Sequence, residues 1–354
     1  MAGLLPEQLP FYEDRGTNQV TRLRGFMLAA FEQLGLPDAA VPFVIEALES
    51  DRQAYLVAAA AKALRGSSKR PPDMAEVLIK ALVNMRHMDD SVSFSTYKPT
   101  WPAEHTTNAH LEILRTLEWL GGQASNALPA LESLQVREGK SFHPDNRAAL
   151  DRALAAIRRD GPAPESEQVS SWEKGESIAP RANFDEVAGV NLIDQDGQAI
   201  RFDEFFSGLP SVVVFFYTRC SNPKKCSLTV TKLGELQRAL QAAGWHDVVK
   251  TAAITYDVAH DGDSLLKTYG TDRGYAFSSL HRMFRTAEKD FRTLRDYFDL
   301  GVNYSAGVVN QHRVELYLLN QQGAIAKAFV RLQWEVDVVK GSLGQLIGQA
   351  AYKP

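Results

Sequence analysis

From about Val20 to Arg159 apolar residues return every three or four positions; beyond Ala182 that rhythm gives way to short alternating or continuous apolar runs. The first pattern marks amphipathic helices and the second marks strands bounded by turns. The chain of 354 residues must therefore divide into an all-helical half and an α/β half. Between them Asp160–Ala182 is polar, with Gly161-Pro162-Ala163-Pro164 followed by Glu165-Ser166-Glu167, the composition of a linker. The expected organisation is a helical domain over 1–160, a linker over 161–181 and a second domain over 182–354.

In the first half the spacing predicts helices over Val20–Leu34, Asp38–Leu48, Gln53–Leu64, Asp73–Met85, Asn108–Leu120 and Asp145–Arg158. A repeat runs through them. Leu28 to Leu34-Gly35, then Ala40-Val41-Pro42 to Leu48, is echoed by Leu114 to Leu120-Gly121, then Ala127-Leu128-Pro129 to Leu134. Leu64-Arg65-Gly66, followed by Pro72 to Leu82, is a looser third copy. Each copy is a helix, a glycine cap, a turn and a second helix that opens near a proline. No single pair can bury its apolar face, so such pairs stack into solenoids. The segment resembles HEAT-type repeats, which implies a surface that recruits a protein partner. Met88–Thr107 interrupts the pattern, and Phe94, Tyr97 and Trp101 are the residues expected to pin it.

In the second half Gly189–Ile193 and Gln198–Phe202 flank Asp196-Gly197, a hairpin signal. Val212–Tyr217 and Val248–Tyr256 read as buried strands on either side of an amphipathic helix, Ser227–Ala243. Helical stretches follow at Ser264–Tyr269 and Phe291–Phe298. Val314–Leu319 and Ala324–Val330 form a second hairpin, and Glu335–Ala350 a last helix. Hairpin, βαβ, helix, ββ and helix in this order is the thioredoxin-type arrangement.

The only two cysteines, Cys220 and Cys226, fall in the turn after the first buried strand and at the start of the helix that follows. Free backbone N–H groups and the positive end of the helix dipole stabilise a thiolate there. Three readings stay open: inert packed thiols, a redox pair, or two ligands of a metal. The usual thioredoxin-like pair has two intervening residues, and here there are five, including Asn222-Pro223. A longer loop is freer to open both sulfurs toward an ion. A peroxiredoxin reading lacks the hydroxyl residue and early proline before the second cysteine. Where thioredoxins place a proline before the late hairpin, this chain has Asn310-Gln311-His312. Cys220, Cys226 and His312 would make a soft, low-coordinate set suited to Cu(I), and with added ligands to Cu(II).

Val213-Val214-Phe215-Phe216-Tyr217-Thr218-Arg219-Cys220 with Cys226-Ser227-Leu228-Thr229 resembles the strand and cysteine loop of the SCO/SenC copper-chaperone family. Ala253-Ile254-Thr255-Tyr256-Asp257 through His260-Asp261-Gly262-Asp263 resembles its second strand and acidic turn, and Asn310-Gln311-His312 before Glu315–Gly323 its histidine loop. The resemblance covers Ala182–Ala350, about half the chain. It implies a copper site of Cys220, Cys226 and His312, with Asp257 behind the ligands or facing a partner. It also implies delivery of copper to a recipient copper protein, a thiol reductant to keep the pair loaded, and an extracytoplasmic home once a signal peptide is removed. The chain departs from the family in its longer cysteine spacing, in Ser227 where a proline usually follows, and in Gln311 where an aspartate is common.

Two other functions fit the residues: a thiol–disulfide oxidoreductase cycling Cys220–Cys226, and an interaction protein whose repeats do the work. His260 and His281 are auxiliary-ligand candidates read as surface histidines. His87, His105, His110, His143 and His246 form no ligand-spaced pair. A net charge of −4 gives no case for nucleic acid or an anionic membrane. No apolar run is long enough to span a bilayer, and residues 1–15 show no signal pattern, which taken alone points to the cytoplasm.

Overall fold

The structure is a computed structural model that describes residues 1–138, 141–162, 183–331 and 333–351. The expected linker, past its first two residues, lies outside the described residues. Two compact units are present. One holds Met1–Pro6 and the helices from Arg15 onward; the other holds Glu7–Asp14 together with the chain from 183 on. The segment Glu7–Asp14, which periodicity alone leaves with the helical half, thus packs with the second unit.

The helical unit contains α1 (Thr17–Leu34), α2 (Val41–Ser50), α3 (Ala54–Leu64), α4 (Asp73–Asn84), α5 (Ala109–Leu120), α6 (Leu128–Glu138) and α7 (Pro144–Asp160). α1 packs on α3, α3 on α5 and α5 on α7, while α2 lies against α4. Small side chains allow the close packing: Ala58, Ala59, Ala60 and Ala61 of α3 are fully buried. Gly66, just past α3, sits so close to α1 that a Cβ there would lie 1.9 Å from the Phe31 carbonyl oxygen. Backbone cannot retreat as a side-chain tip can. Gly66→Ala is therefore expected to cost about 1–3 kcal/mol by overpacking, read as a lowered thermal midpoint in circular dichroism.

The interruption after α4 is closed by a short antiparallel ladder, β1 (Val92–Ser93) and β2 (Thr106–Thr107). Phe94 packs on Tyr55 with ring centroids 4.7 Å apart, and Tyr97 on Phe26 at 5.9 Å. Trp101 does not share in this pinning and is 96% exposed.

The second unit contains α8 (Asp185–Ala188), β3 (Asn191–Asp194), β4 (Ala199–Arg201), α9 (Phe202–Phe206), β5 (Ser211–Phe216), α10 (Leu228–Ala242), β6 (Lys250–Thr255), α11 (Asp263–Thr271), β7 (His281–Thr286), α12 (Glu288–Phe298), β8 (Val302–Ser305), β9 (Val308–His312), β10 (Glu315–Leu319), β11 (Ile325–Val330) and α13 (Val336–Ala351). Seven strands form one mixed sheet in the order β11-β10-β5-β6-β7-β3-β4, with β5, β6 and β7 parallel. β5 is an interior strand between β10 and β6, and all six of its residues are buried. Val213 and Phe215 join a core with Phe202, Phe298 and Tyr317. Val212, Val214 and Phe216 join the other core, with Leu233, Trp334 and Leu343. Helices cover both faces, which is why the strand reads as continuous rather than alternating apolar residues. This is the thioredoxin-like arrangement.

Three elements depart from expectation. β7 is an additional parallel strand; its Arg282 and Arg285 are held by Asp194 and Asp263, so its charged residues hide its strand character. The stretch before the late hairpin is not a loop but a second hairpin, β8 paired with β9, and His312 ends a strand. His281, read as a surface histidine, is fully buried at the start of β7, where its Nδ1 meets Thr251 Oγ1 at 3.0 Å and its Nε2 meets His246 Nδ1 at 3.2 Å. Burial, with His246 beside it, lowers its pKa to about 4. Thr251 lies near the start of β6, the strand end opposite the one from which the cysteine loop leaves β5. His260 is exposed, as expected.

Candidate metal centre

β5 delivers the chain to Tyr217-Thr218-Arg219-Cys220 at its carboxyl end. Asn222 then caps the next turn, its Oδ1 accepting the Lys224 N–H at 3.0 Å, and Pro223 occupies the first helical position. Pro223–Ser227 forms a single π turn in which Lys225 takes φ −108° and ψ −107°. The widened turn takes up the extra residues between the cysteines before α10 begins. Cys220 remains half-buried, and Cys226 points into the core beside Val230 and Leu316.

His312 arrives from β9, 92 positions beyond Cys220. Its Nε2 lies 3.3 Å from Cys220 Sγ and 3.6 Å from Cys226 Sγ. The three ligand atoms all fall within 4.8 Å of one another, close enough to hold one metal ion, and no other such trio exists among the described residues. His312 Nδ1 faces the Arg313 carbonyl oxygen at 3.1 Å. A carbonyl only accepts, so Nδ1 must carry a proton, and Nε2 is the nitrogen turned to the sulfurs. In the neutral ring that nitrogen offers a lone pair. The orienting role that an acidic neighbour would play is thus taken by main chain, and Gln311 is not needed for it. Tyr217 and Tyr256 pack on the imidazole with centroids 5.3 and 5.6 Å away, and the Lys225 ammonium donates to the His312 carbonyl at 2.8 Å.

The two thiols are not equivalent. A hydrogen bond from Cys226 draws the Cys220 pKa far down, helped against burial by His312. Burial, then the facing Cys220 thiolate, drives Cys226 well up. The two shifts run in opposite directions, favouring the thiolate at Cys220 and the protonated thiol at Cys226.

Asp257 is buried and accepts from Arg219 Nη2 at 2.5 Å and Nε at 3.0 Å, so it anchors the residue before Cys220 rather than touching the ligands. A residue that spacing alone does not single out is Asp261. It is fully buried and accepts from the Thr218 N–H at 3.0 Å and from the Thr218 and Thr255 hydroxyls. It ties the ends of β5 and β6 beneath the cysteine loop. Asp261→Ala would strand these donors and is expected to cost about 1–3 kcal/mol, read by chemical denaturation. In the helical unit, His110 is bound by Asp89 at 2.9 Å and faces the Leu82 carbonyl at 3.1 Å, a structural role.

Residues 180–345 match the SCO1/SenC family model. The C-terminal unit belongs to this family. Among solved structures the chain is similar to copper-bound ScoI of Bradyrhizobium japonicum, at 20% identity over 44% of this chain and 96% of that one, with a TM-score of 0.37. It is similar to copper-bound ScoI of Arabidopsis thaliana at 17% identity over 46% and 99%, TM-score 0.39. A SCO1/SenC family lipoprotein from Bacillus anthracis str. Ames is 19% identical over 44% and 92%, TM-score 0.40. No curated protein matches the chain. The three candidate ligands of this SCO1/SenC unit lie inside the matched stretch. Among the described residues no helix is long and apolar enough to cross a membrane.

Proposed function

We propose that the second unit binds copper through Cys220, Cys226 and His312 and passes it to a recipient copper protein, with the helical unit recruiting that partner. The convergence of two sulfurs and one imidazole nitrogen within 4.8 Å carries the reading. Two thiolates and one imidazole are a soft set that suits Cu(I). Among the described residues the set has no fourth protein ligand, unlike a closed structural zinc site. An ion held by three ligands, with Cys220 half-buried at the rim, can be reached by the ligands of a second protein. Binding requires both sulfurs as thiolates, so Cys226 must release its proton. It also requires the pair reduced, so a thiol reductant is part of the cycle. The test is a titration of the reduced full-length chain with Cu(I) against a chelating competitor. One tight equivalent that disappears on oxidation of the pair is expected; no competition with the chelator would overturn the reading.

The inequality of the thiols favours one second reading. A half-buried thiolate at Cys220 backed by a buried thiol at Cys226 is the order of an attacking and a resolving cysteine. Turnover of a disulfide substrate by a chain that takes up no Cu(I) would select an oxidoreductase instead.

A further inference from the structure

β8 and β9 make a two-stranded sheet of their own, and a lone two-stranded hairpin is marginal in water. His312 ends β9 directly opposite Val302, so the third ligand depends on a weak element. The residues that hold it come from the other end of the chain. Asn303 of β8 donates from Nδ2 to the Glu7 carbonyl at 2.8 Å, and the Asp14 N–H donates to the Tyr304 carbonyl at 3.2 Å. Both contacts fall at the bulge between Asn303 and Tyr304. Arg295 reaches Glu13 at 2.9 Å, and Gln8 reaches Asp299 at 3.4 Å.

The Glu7 carboxylate takes both bonds from Arg331 Nη1, at 3.1 and 3.0 Å, and each side chain of the pair is 1% exposed. Arg331 stands at φ +78°, a left-handed conformation that a non-glycine residue keeps only when its surroundings impose it. Its own N–H donates to the Val314 carbonyl at 2.7 Å, two residues past His312. Glu7 thus grips the histidine hairpin from both sides, through Asn303 before the turn and through Arg331 and Val314 after the ligand. A buried ion pair adds little net stability because desolvation offsets its attraction, but it fixes geometry strictly.

We propose that Glu7–Asp14 is a strap that completes the metal centre, with Glu7 as the residue that positions His312. The strap continues at both ends into residues of the helical unit, so the unit read as recruiting the partner is covalently joined to the support of the third ligand. A partner that draws on the strap would loosen His312 and leave the ion on two sulfurs, the form easiest to hand over. This rests on the copper reading above.

The test uses the full chain with Glu7→Gln, His312→Ala and both together. Three readouts apply: Cu(I) affinity by competition, thermal midpoint, and amide exchange of β8–β9 relative to β5–β6. Glu7→Gln is expected to keep one equivalent, to weaken it about tenfold, and to speed exchange in β8–β9 alone. In the His312→Ala background it should change affinity no further, since coupled residues are not additive. Wild-type affinity and exchange in Glu7→Gln would overturn the strap, and so would an equal weakening in both backgrounds. If Glu7→Gln does not fold, Asn303→Ala removes one of the two strap-to-hairpin bonds, leaves the Glu7–Arg331 pair in place, and is read the same way. If the unaltered chain takes up no Cu(I), the copper reading falls by itself, and exchange in β8–β9 still decides the strap.

Discussion

Full-length protein carrying Cys220→Ser or Cys226→Ser takes up no Cu(I) against a chelator, whereas His312→Ala keeps one equivalent at reduced affinity. The asymmetry follows from softness. A hydroxyl in place of a thiolate is a hard, protonated donor that Cu(I) does not favour, and the thiolate left behind has only the imidazole as companion. Losing the imidazole leaves two thiolates, a sufficient pair for a low-coordinate soft ion, so affinity should fall while the single equivalent is kept. Cys226 packs in the core beside Val230 and Leu316. Cys226→Ala keeps that packing apolar and separates lost coordination from lost folding. Competition titration of the reduced variants decides the matter. Unaltered affinity in either serine variant would remove that sulfur from the site and overturn the three-ligand set.

The second large effect lies in the helical unit. Arg65 follows α3 and binds residues of α1 and α5: Glu32 at 2.6 Å, the Glu112 carboxylate at 2.5 Å, the Glu112 carbonyl at 3.1 Å and Thr116 at 2.9 Å. Glu112 is buried, so Arg65→Met leaves its carboxylate short of its main counter-charge. Removing one partner of such a pair costs about 3–5 kcal/mol. The pH dependence follows the same groups. Burial pushes the Glu112 pKa up, but Arg65, Thr107 and Arg115 together outweigh it and the net shift is downward; Glu32 is likewise lowered, by Lys62 and Arg65 against burial. A lowered carboxylate contributes stability above its ordinary value, and that contribution fades as pH falls through the lowered one. The gap in melting temperature between wild type and Arg65→Met should therefore be widest near neutral pH and narrow in acid, measured by circular dichroism. A constant gap would contradict the assignment.

What could be read ahead of the structure, and what could not, divides along burial and range. The six buried residues of β5 and the apolar spacing of α1 to α7 state their surroundings locally, so strand, helices and cysteine turn were legible. His312 was legible only through its place before a hairpin. β7 and β8 were not, because Arg282, Arg285 and Asn303 break their apolar pattern and are satisfied by distant partners. The strap is harder still. Glu7 reads as an ordinary surface carboxylate until Arg331, 324 positions away, is seen to enclose it. Asp261 shows the same limit at short range: the acidic turn was visible, but its bonds to Thr218 and Thr255 come from the joining of two strand ends.

The π turn at Pro223–Ser227 has a consequence for how much chain the cysteine loop can hold. A widened turn is a slack length of rope: residues can enter the cysteine loop and be wound into it while both sulfurs stay within reach of the same nitrogen. Ligand spacing is then a poor fingerprint, free to lengthen without loss of the centre. What brings the three ligand atoms together is then the strand that launches the loop and the hairpin that returns the histidine.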